Sequence, residues 1–316
     1  MDIGSLDKAR LLIEKAIGDL ETQRELANTI PLVAMETAMA NIVAHRLYRS
    51  LGDEPRASER LEAALAMRAA LEEFDRRGSP KVPYVFIMLA SHASPQNTEE
   101  LHDRFLELHN RWKDRDTLQS HACNWMALNL LQVGEFDLAL AWLERRTGPN
   151  KSTWKFLDRY VRYLDPARKE PLESLRQEAE EDLQSNTQHK IPFFDVTQIA
   201  LFGGDDSMHH FIQSDENSGL ISDFRFNHEF FGVPKEQRKL LPEELLEECN
   251  ESDRPVFHRM HANFYLAIES LAESDYDAAR QYFEACHEDI GIQFCVHRLS
   301  KAFLERMDFL ERIETK

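Results

Sequence analysis

Along most of this chain apolar residues recur every three or four positions, the spacing that lays one stripe along a helix. Leu6, Leu12, Ile13, Ala16, Ile17 and Leu20 recur at helical spacing and predict a first helix, and Pro31 suits the opening turn of a second that runs to Arg49. Leu51-Gly52-Asp53 then interrupts the pattern. Ala57, Leu61, Ala64, Leu65 and Leu71 resume it as an antiparallel return helix that ends before Gly78-Ser79-Pro80. The run Tyr84 to Ala90 is apolar on every side, which fits a buried helix or a strand, and its helical neighbours favour helix. Asn97 with Glu100 resembles a capping pair ahead of Leu101, Phe105, Leu108 and Trp112 on one stripe. His121 to Val133 and Phe136 to Arg146 form a second hairpin around Gly134-Glu135. A further helix begins near Ser152 and closes at Pro166.

Glu170 to Gln184 holds six carboxylates against one arginine and reads as a helix with a solvated acidic face. Between about Ser185 and Pro255 regularity fails. That segment carries Ile191-Pro192-Phe193-Phe194, Gly203-Gly204-Asp205-Asp206, and the aromatic set Phe224, Phe226, Phe230 and Phe231. Long irregular segments inside a helical chain are functional loops or packed insertions, and packing is the simpler expectation for this one. Helical spacing returns at Pro255 and turns at Ser274-Asp275. It ends in one long helix with Ile292, Val296, Leu299, Phe303, Leu310 and Ile313 on a single stripe. The expected organisation is therefore an array over 1–184, an insert over 185–254 and a closing hairpin with its capping helix over 255–316.

Composition supports an all-α chain, because 11 glycines in 316 residues are too few for the turns of an all-β or doubly wound protein. The formal charge of −18 repels phosphate backbones and disfavours nucleic acid as a partner. No apolar run approaches the ~20 residues that span a bilayer, and the opening MDIGSLDKAR lacks the marks of a secretory signal, so a cytoplasmic location is expected. Cys123, Cys249, Cys286 and Cys295 follow no secreted-domain spacing and are expected to stay reduced.

Three hairpins align by their turns: LYRSLGDEPRASERLEAAL from Leu47, LNLLQVGEFDLALAWLERR from Leu128 and IESLAESDYDAARQYFEAC from Ile268. The turn pairs Gly52-Asp53, Gly134-Glu135 and Ser274-Asp275 each precede an alanine, Ala57, Ala139 or Ala279. Leu61, Leu143 or Phe283 follows four residues later, and then Ala64, Arg146 or Cys286. A small residue lets two helices approach, and the large one fills the groove between hairpins. This pattern resembles the tetratricopeptide repeat family, most closely at Ser274-Asp275-Tyr276-Asp277-Ala278-Ala279. His45 and Arg146 depart from it, where the family has a small residue and a packing residue. The matched alanines stand 82 and 140 residues apart, away from multiples of the family's period of about 34, so the array is irregular.

The resemblance implies a curved α-solenoid, of the bacterial adaptor or regulatory kind, that receives a peptide or protein on the concave face made by the first helices. The residues it places there are Arg46 and Arg49, His121 and Asn124, and His261 and Phe264. It implies no cofactor and no membrane. The lysines of the family's carboxylate clamp are missing around Asn124, and acidic stretches such as Glu243 to Asp253 suit a basic or mixed-charge partner. Homo-oligomerisation through the carboxy-terminal apolar stripe is a further possibility.

Catalytic signatures are sparse. No phosphate-binding loop or nucleophile elbow occurs. Cys286-His287 and Cys295-x-His297 bring four potential zinc ligands within twelve residues, but adjacent helical residues point about 100° apart, which makes a tetrahedral site hard to close. His258 and His261 could share a helix face, whereas His121 and Cys123 could not. The alternative function is a metal-dependent or general-base hydrolase built on Asp205, Asp206, His209, His210 and His228, the side-chain types such chemistry uses.

Overall fold

A computed structural model describes residues 3–22, 24–79, 82–93, 97–147, 154–167, 170–185, 197–198, 201–202, 230–231, 233, 235–288 and 295–314. Regular structure among the described residues is helical throughout, with no strand. The chain divides into two compact units, Met1–Asn129 with Arg145–Pro149, and Leu130–Glu144 with Asn150–Lys316.

In the first unit α1 (Ile3–Glu21) and a 3-10 turn (Arg24–Asn28) pack on α2 (Pro31–Ser50), which also contacts α3 (Glu54–Ala66), α4 (Arg68–Arg76) and α5 (Val82–Ala93). Helix α5 is the run that is apolar on all sides. It is surrounded by α2, α4 and α6 (Thr98–Arg111), and that enclosure explains why it shows no polar face. Asn97 caps α6, its side chain accepting the Glu100 N–H at 3.1 Å. The first return helix is broken at Met67, which separates α3 from α4 although neither Gly nor Pro marks the break.

Below that break, Arg68 and Arg111 alternate with Glu72 and Glu107 in a ring joining α4 to α6. Arg68 donates to Glu72 at 2.9 Å and to Glu107 at 2.5 Å, and Arg111 donates to the same two at 3.0 and 3.2 Å. The buried Asp75 receives the Trp112 indole N–H at 3.1 Å and Arg115 at 2.7 Å, fixing the end of α4 to the chain leaving α6. Helix α7 (Asp116–Val133) follows.

In the second unit α8 (Phe136–Glu144) packs on α9 (Lys155–Leu164), and α9 on α10 (Leu172–Ser185). Helix α12 (Pro255–Ala272) is flanked by α11 (Pro242–Glu251), α13 (Tyr276–Glu288) and α14 (Cys295–Leu304), and α15 (Met307–Glu314) returns to α13. Two expectations are corrected here. Regular structure is already present ahead of Pro255: a 3-10 turn spans Lys235–Gln237, and α11 opens at Pro242, where proline fits the first turn, Glu244 accepts the Leu241 N–H at 2.7 Å, and Leu245 and Cys249 are buried. The carboxy-terminal helix is two helices, and its stripe is covered by its own unit: Val296, Leu299, Phe303 and Leu310 are buried, which leaves no apolar face for homo-oligomerisation there among the described residues.

The acidic helix α10 keeps a solvated face, with Glu173 and Glu181 exposed. Two of its carboxylates, with Glu170 just ahead of it, meet the basic edge of α9: Arg162 donates to Glu170 at 2.6 Å and to Glu178 at 3.0 Å, and Asp182 pairs with Lys155 and Arg159. One edge of that face is a helix-to-helix ionic seam.

The three aligned turns share one backbone geometry. Gly52, Gly134 and Ser274 have φ of 75°, 80° and 60°. The next N–H, of Asp53, Glu135 or Asp275, donates back to Tyr48, Leu130 or Ser270 at 2.8, 3.0 and 2.8 Å, the six-to-one bond that closes a helix on a left-handed residue. Asp53 and Asp275 then cap the following helices, accepting the Arg56 and Ala278 N–H groups at 3.2 and 3.1 Å. Ala57, Ala139 and Ala279 are each wholly buried.

Gly134 carries a second constraint, since a Cβ there would lie 2.3 Å from the guanidinium of Arg306, which stacks 4.9 Å over Phe136. We expect Gly134→Ala to cost about 1–2 kcal/mol from the left-handed φ and about 0.5–1 kcal/mol more from the displaced cation. Urea denaturation of a double-mutant cycle checks this. The extra cost should vanish in an Arg306→Ala background, and an unchanged cost there would show that Arg306 simply moves aside.

Candidate recognition surface

The six residues assigned to a recognition face divide between the units, four in the first and two in the second. On α2 the buried edge is committed to its neighbours. Tyr48 donates to Glu14 at 2.5 Å, and His45 sits with Nδ1 2.8 Å from the Ala57 carbonyl oxygen. That contact gives the histidine a packing role between α2 and α3. The imidazole satisfies the backbone of the facing helix, and burial holds its pKa below the ordinary value. Arg46 and Arg49 lie beside this edge and are partly exposed, Arg49 with Nε 3.8 Å from Glu54.

On α7, His121 is half-buried, with its pKa lowered by desolvation. Asn124 is 2% exposed. On α12, His261 is buried with Nδ1 2.8 Å from the Phe257 carbonyl oxygen and its ring 4.3 Å from that of Phe257. Burial pushes its pKa down to about 4, so it stays neutral. Phe264 is fully buried among Tyr160, Phe283 and Phe303. Asn124, His261 and Phe264 thus serve the interior of their units, and the accessible members of the six are Arg46, Arg49 and His121.

The hydrolase set of Asp205, Asp206, His209, His210 and His228 lies outside the described residues. Of the possible zinc ligands, His287 and His297 lie with ring centroids 4.5 Å apart and planes tilted by 45°, and Cys286 is buried in the packing position of its hairpin. Among the described residues no three His, Cys, Asp or Glu side chains converge to hold a metal ion.

The sequence does not announce the two polar anchors that hold the described parts of 185–254. In the first, the buried Arg159 on α9 donates to Gln198 at 2.6 Å and pairs with Asp182, while Gln198 donates onward to the Phe156 carbonyl at 2.6 Å. Leu201 and Phe202 bury beside it, Phe202 at 5.4 Å from Tyr163. In the second, Arg238 pairs with Glu269 of α12 and lies 4.5 Å over Phe230 and 5.5 Å over Phe231. Phe231 meets Tyr265 edge-on at 6.1 Å. These described islands of the aromatic segment are core, as packing predicts. Only the pairing of α9 with α10 beside the first anchor leaves a trace in the sequence, where Lys155, Arg159 and Arg162 recur at helical spacing ahead of an acid-rich helix.

No helix among the described residues is long and apolar enough to cross a membrane. No protein-family model matches the chain, and no curated protein matches it.

Proposed function

We propose that this chain is a protein-recognition module, an adaptor or regulatory subunit that receives a peptide or protein partner on an array of tetratricopeptide-like hairpins and so controls a separate effector. The observation that carries this reading is the shared turn. At three places far apart in the chain, a left-handed residue, a six-to-one backbone bond and a buried alanine recur in the same order. One supersecondary unit used repeatedly is the basis of a solenoid, whose working surface is the row of helices it presents. The chain needs no cofactor in this reading, and its charge of −18 suits a basic or mixed-charge partner.

Arg46 and Arg49 would fix the register of that partner by pairing with its acidic positions. The double change Arg46→Glu and Arg49→Glu should therefore weaken partner capture by tenfold or more, on the order of two lost charge pairs. The melting temperature should hold, because partly exposed ion pairs such as Arg49–Glu54 contribute at most about 1 kcal/mol. Affinity purification from the native host, quantified by mass spectrometry with both proteins at equal abundance, reads the first quantity, and calorimetry reads the second. Equal capture by both proteins would remove α2 from the recognition surface.

A further inference from the structure

Among the described side chains of α1, Ile17 alone is buried, with Ile13 and Leu20 half-buried. Ile13 and Ile17 rest on Ala44 and Tyr48 of α2 and Ala57 of α3. The same hairpin meets two carboxylates of α1. Glu14 accepts the Tyr48 hydroxyl at 2.5 Å and lies 3.9 Å from Arg56, and Glu21 accepts Arg60 at 3.4 Å. At 100° per residue Ile13, Ile17 and Leu20 fall within about 60° of one another, and Glu14 and Glu21 within about 20°. An apolar edge and an acidic flank therefore run side by side along the helix.

The seat beneath α1 is closed by bonds in which α1 takes no part. His45 meets the Ala57 carbonyl at 2.8 Å, the Asp53 N–H closes the turn on Tyr48 at 2.8 Å, and Arg56 lies 5.6 Å over the Tyr48 ring. Ala44 and Ala57 are small, which lets a crossing helix lie close. The hold on α1 itself is slight. Glu14 and Glu21 are 41% and 64% exposed, and ion pairs of that kind contribute little. Leu11 and Leu12 on its outer side are exposed and add no packing. The 3-10 turn that follows packs on α2 and buries Ala27, so the chain stays anchored there when α1 lifts.

We infer that α1 is a displaceable occupant of this seat, and that the partner brings in its place a helix of the same pattern, apolar at i, i+4 and i+7 with carboxylates at i+1 and i+8. The helix already seated shows the chemistry the seat accepts. Its apolar floor alone would admit any amphipathic helix, whereas Arg56 and Arg60 favour one with an acidic flank toward α3 and repel one with a basic flank. Helix α1 carries three basic and four acidic residues, so a helix like it is a mixed-charge partner. The inference rests on the reading of the chain as a recognition module and adds a regulatory step to it. Entry requires α1 to leave, and a tethered helix competes at the high effective concentration that a short connection gives.

Fluorescence anisotropy of a labelled peptide of residues 3–22, titrated with the full chain, tests this. No partner is present, so this inference and the capture experiment at Arg46 and Arg49 fail independently. Ile13→Asp with Ile17→Asp in the chain should free the seat and tighten peptide binding at least about tenfold over wild type, the gain expected when a site occupied nine-tenths of the time becomes open. In that opened chain Arg56→Glu with Arg60→Glu should weaken binding about tenfold, and a peptide carrying Glu14→Arg and Glu21→Arg should recover it. Hydrogen exchange of the wild type gives a second readout, in which amides of α1 exchange well ahead of those in α2 and α3. An opened chain that does not bind the peptide, or binds it without regard to the charge exchange, overturns the inference. So does equal protection of α1 and α2, or loss of protection in α2 and α3 when α1 is freed, since α1 would then belong to the fixed core.

Discussion

Replacing Phe303 with alanine is expected to cost about 3–5 kcal/mol of unfolding free energy. The ring is fully buried and lies where four helices of the second unit meet. It stacks on Phe283 at 4.8 Å, meets Tyr160 edge-on at 5.5 Å, and reaches Phe264 and Tyr163 at 6.2 Å each. Truncation would lose the burial of a large apolar surface and leave a cavity, and rings held from several helices cannot all relax into the gap. Phe303→Leu keeps most of the volume and should cost less than about 1.5 kcal/mol. Urea denaturation followed by tryptophan fluorescence separates the two, and a loss below about 1 kcal/mol for alanine would show that the aromatic cluster does not hold the unit together.

The second large effect is expected at Arg159, whose side chain is 2% exposed. Its guanidinium spans Gln198 and Asp182, so alanine strips a donor from a fully buried amide and a cation from a carboxylate that is mostly enclosed. Breaking a buried pair by deleting one member costs about 3–5 kcal/mol, because the remaining groups are no longer solvated or paired. Arg159→Lys keeps the charge but not the planar fork that serves two acceptors, and should recover only part of the loss. Asp182→Asn should be the mildest of the three, because that side chain retains some solvent contact and can still accept. Thermal and urea denaturation of the series would reveal the order. An alanine variant within about 1 kcal/mol of the parent would reduce the buried network to a passive contact.

How much of this was readable beforehand depends on where the information lies. The hairpin turns were legible because a left-handed residue and an acidic cap are local demands, met by Gly52-Asp53 and Ser274-Asp275 within a few residues. The break at Met67 was not, since its backbone is ordinary for a helix end and no residue type marks it. The bend between α14 and α15 is a similar case, with Arg306 held over Phe136 from a part of the chain far away in sequence. Periodicity identified α1 as amphipathic but not which part of its stripe its neighbours cover. That depends on the angle at which α2 and α3 approach, visible only through Tyr48 and Ala57.

The candidate site suffered in the same way. The repeat alignment treats the first helix of each hairpin as having one packed face and one presented face. Helix α12 is instead enclosed by α11, α13 and α14, so every residue from Met260 through Ile268 is buried, His261 and Phe264 among them. Arg159 was hidden for a different reason. An arginine on an exposed-looking edge and a glutamine some forty residues away carry no mutual signal until the chain between them has folded back.

The burial of Cys123 and Cys249 has a consequence for reactivity. Enclosure pushes their thiols up to about 12 and about 11, well above the ordinary value. At neutral pH such thiols stay protonated, and only the thiolate is a competent nucleophile. Alkylating agents therefore find these two thiols almost unreactive in the native chain. Any modification at these positions samples molecules that have already opened, and the damage they accumulate keeps a record of unfolding.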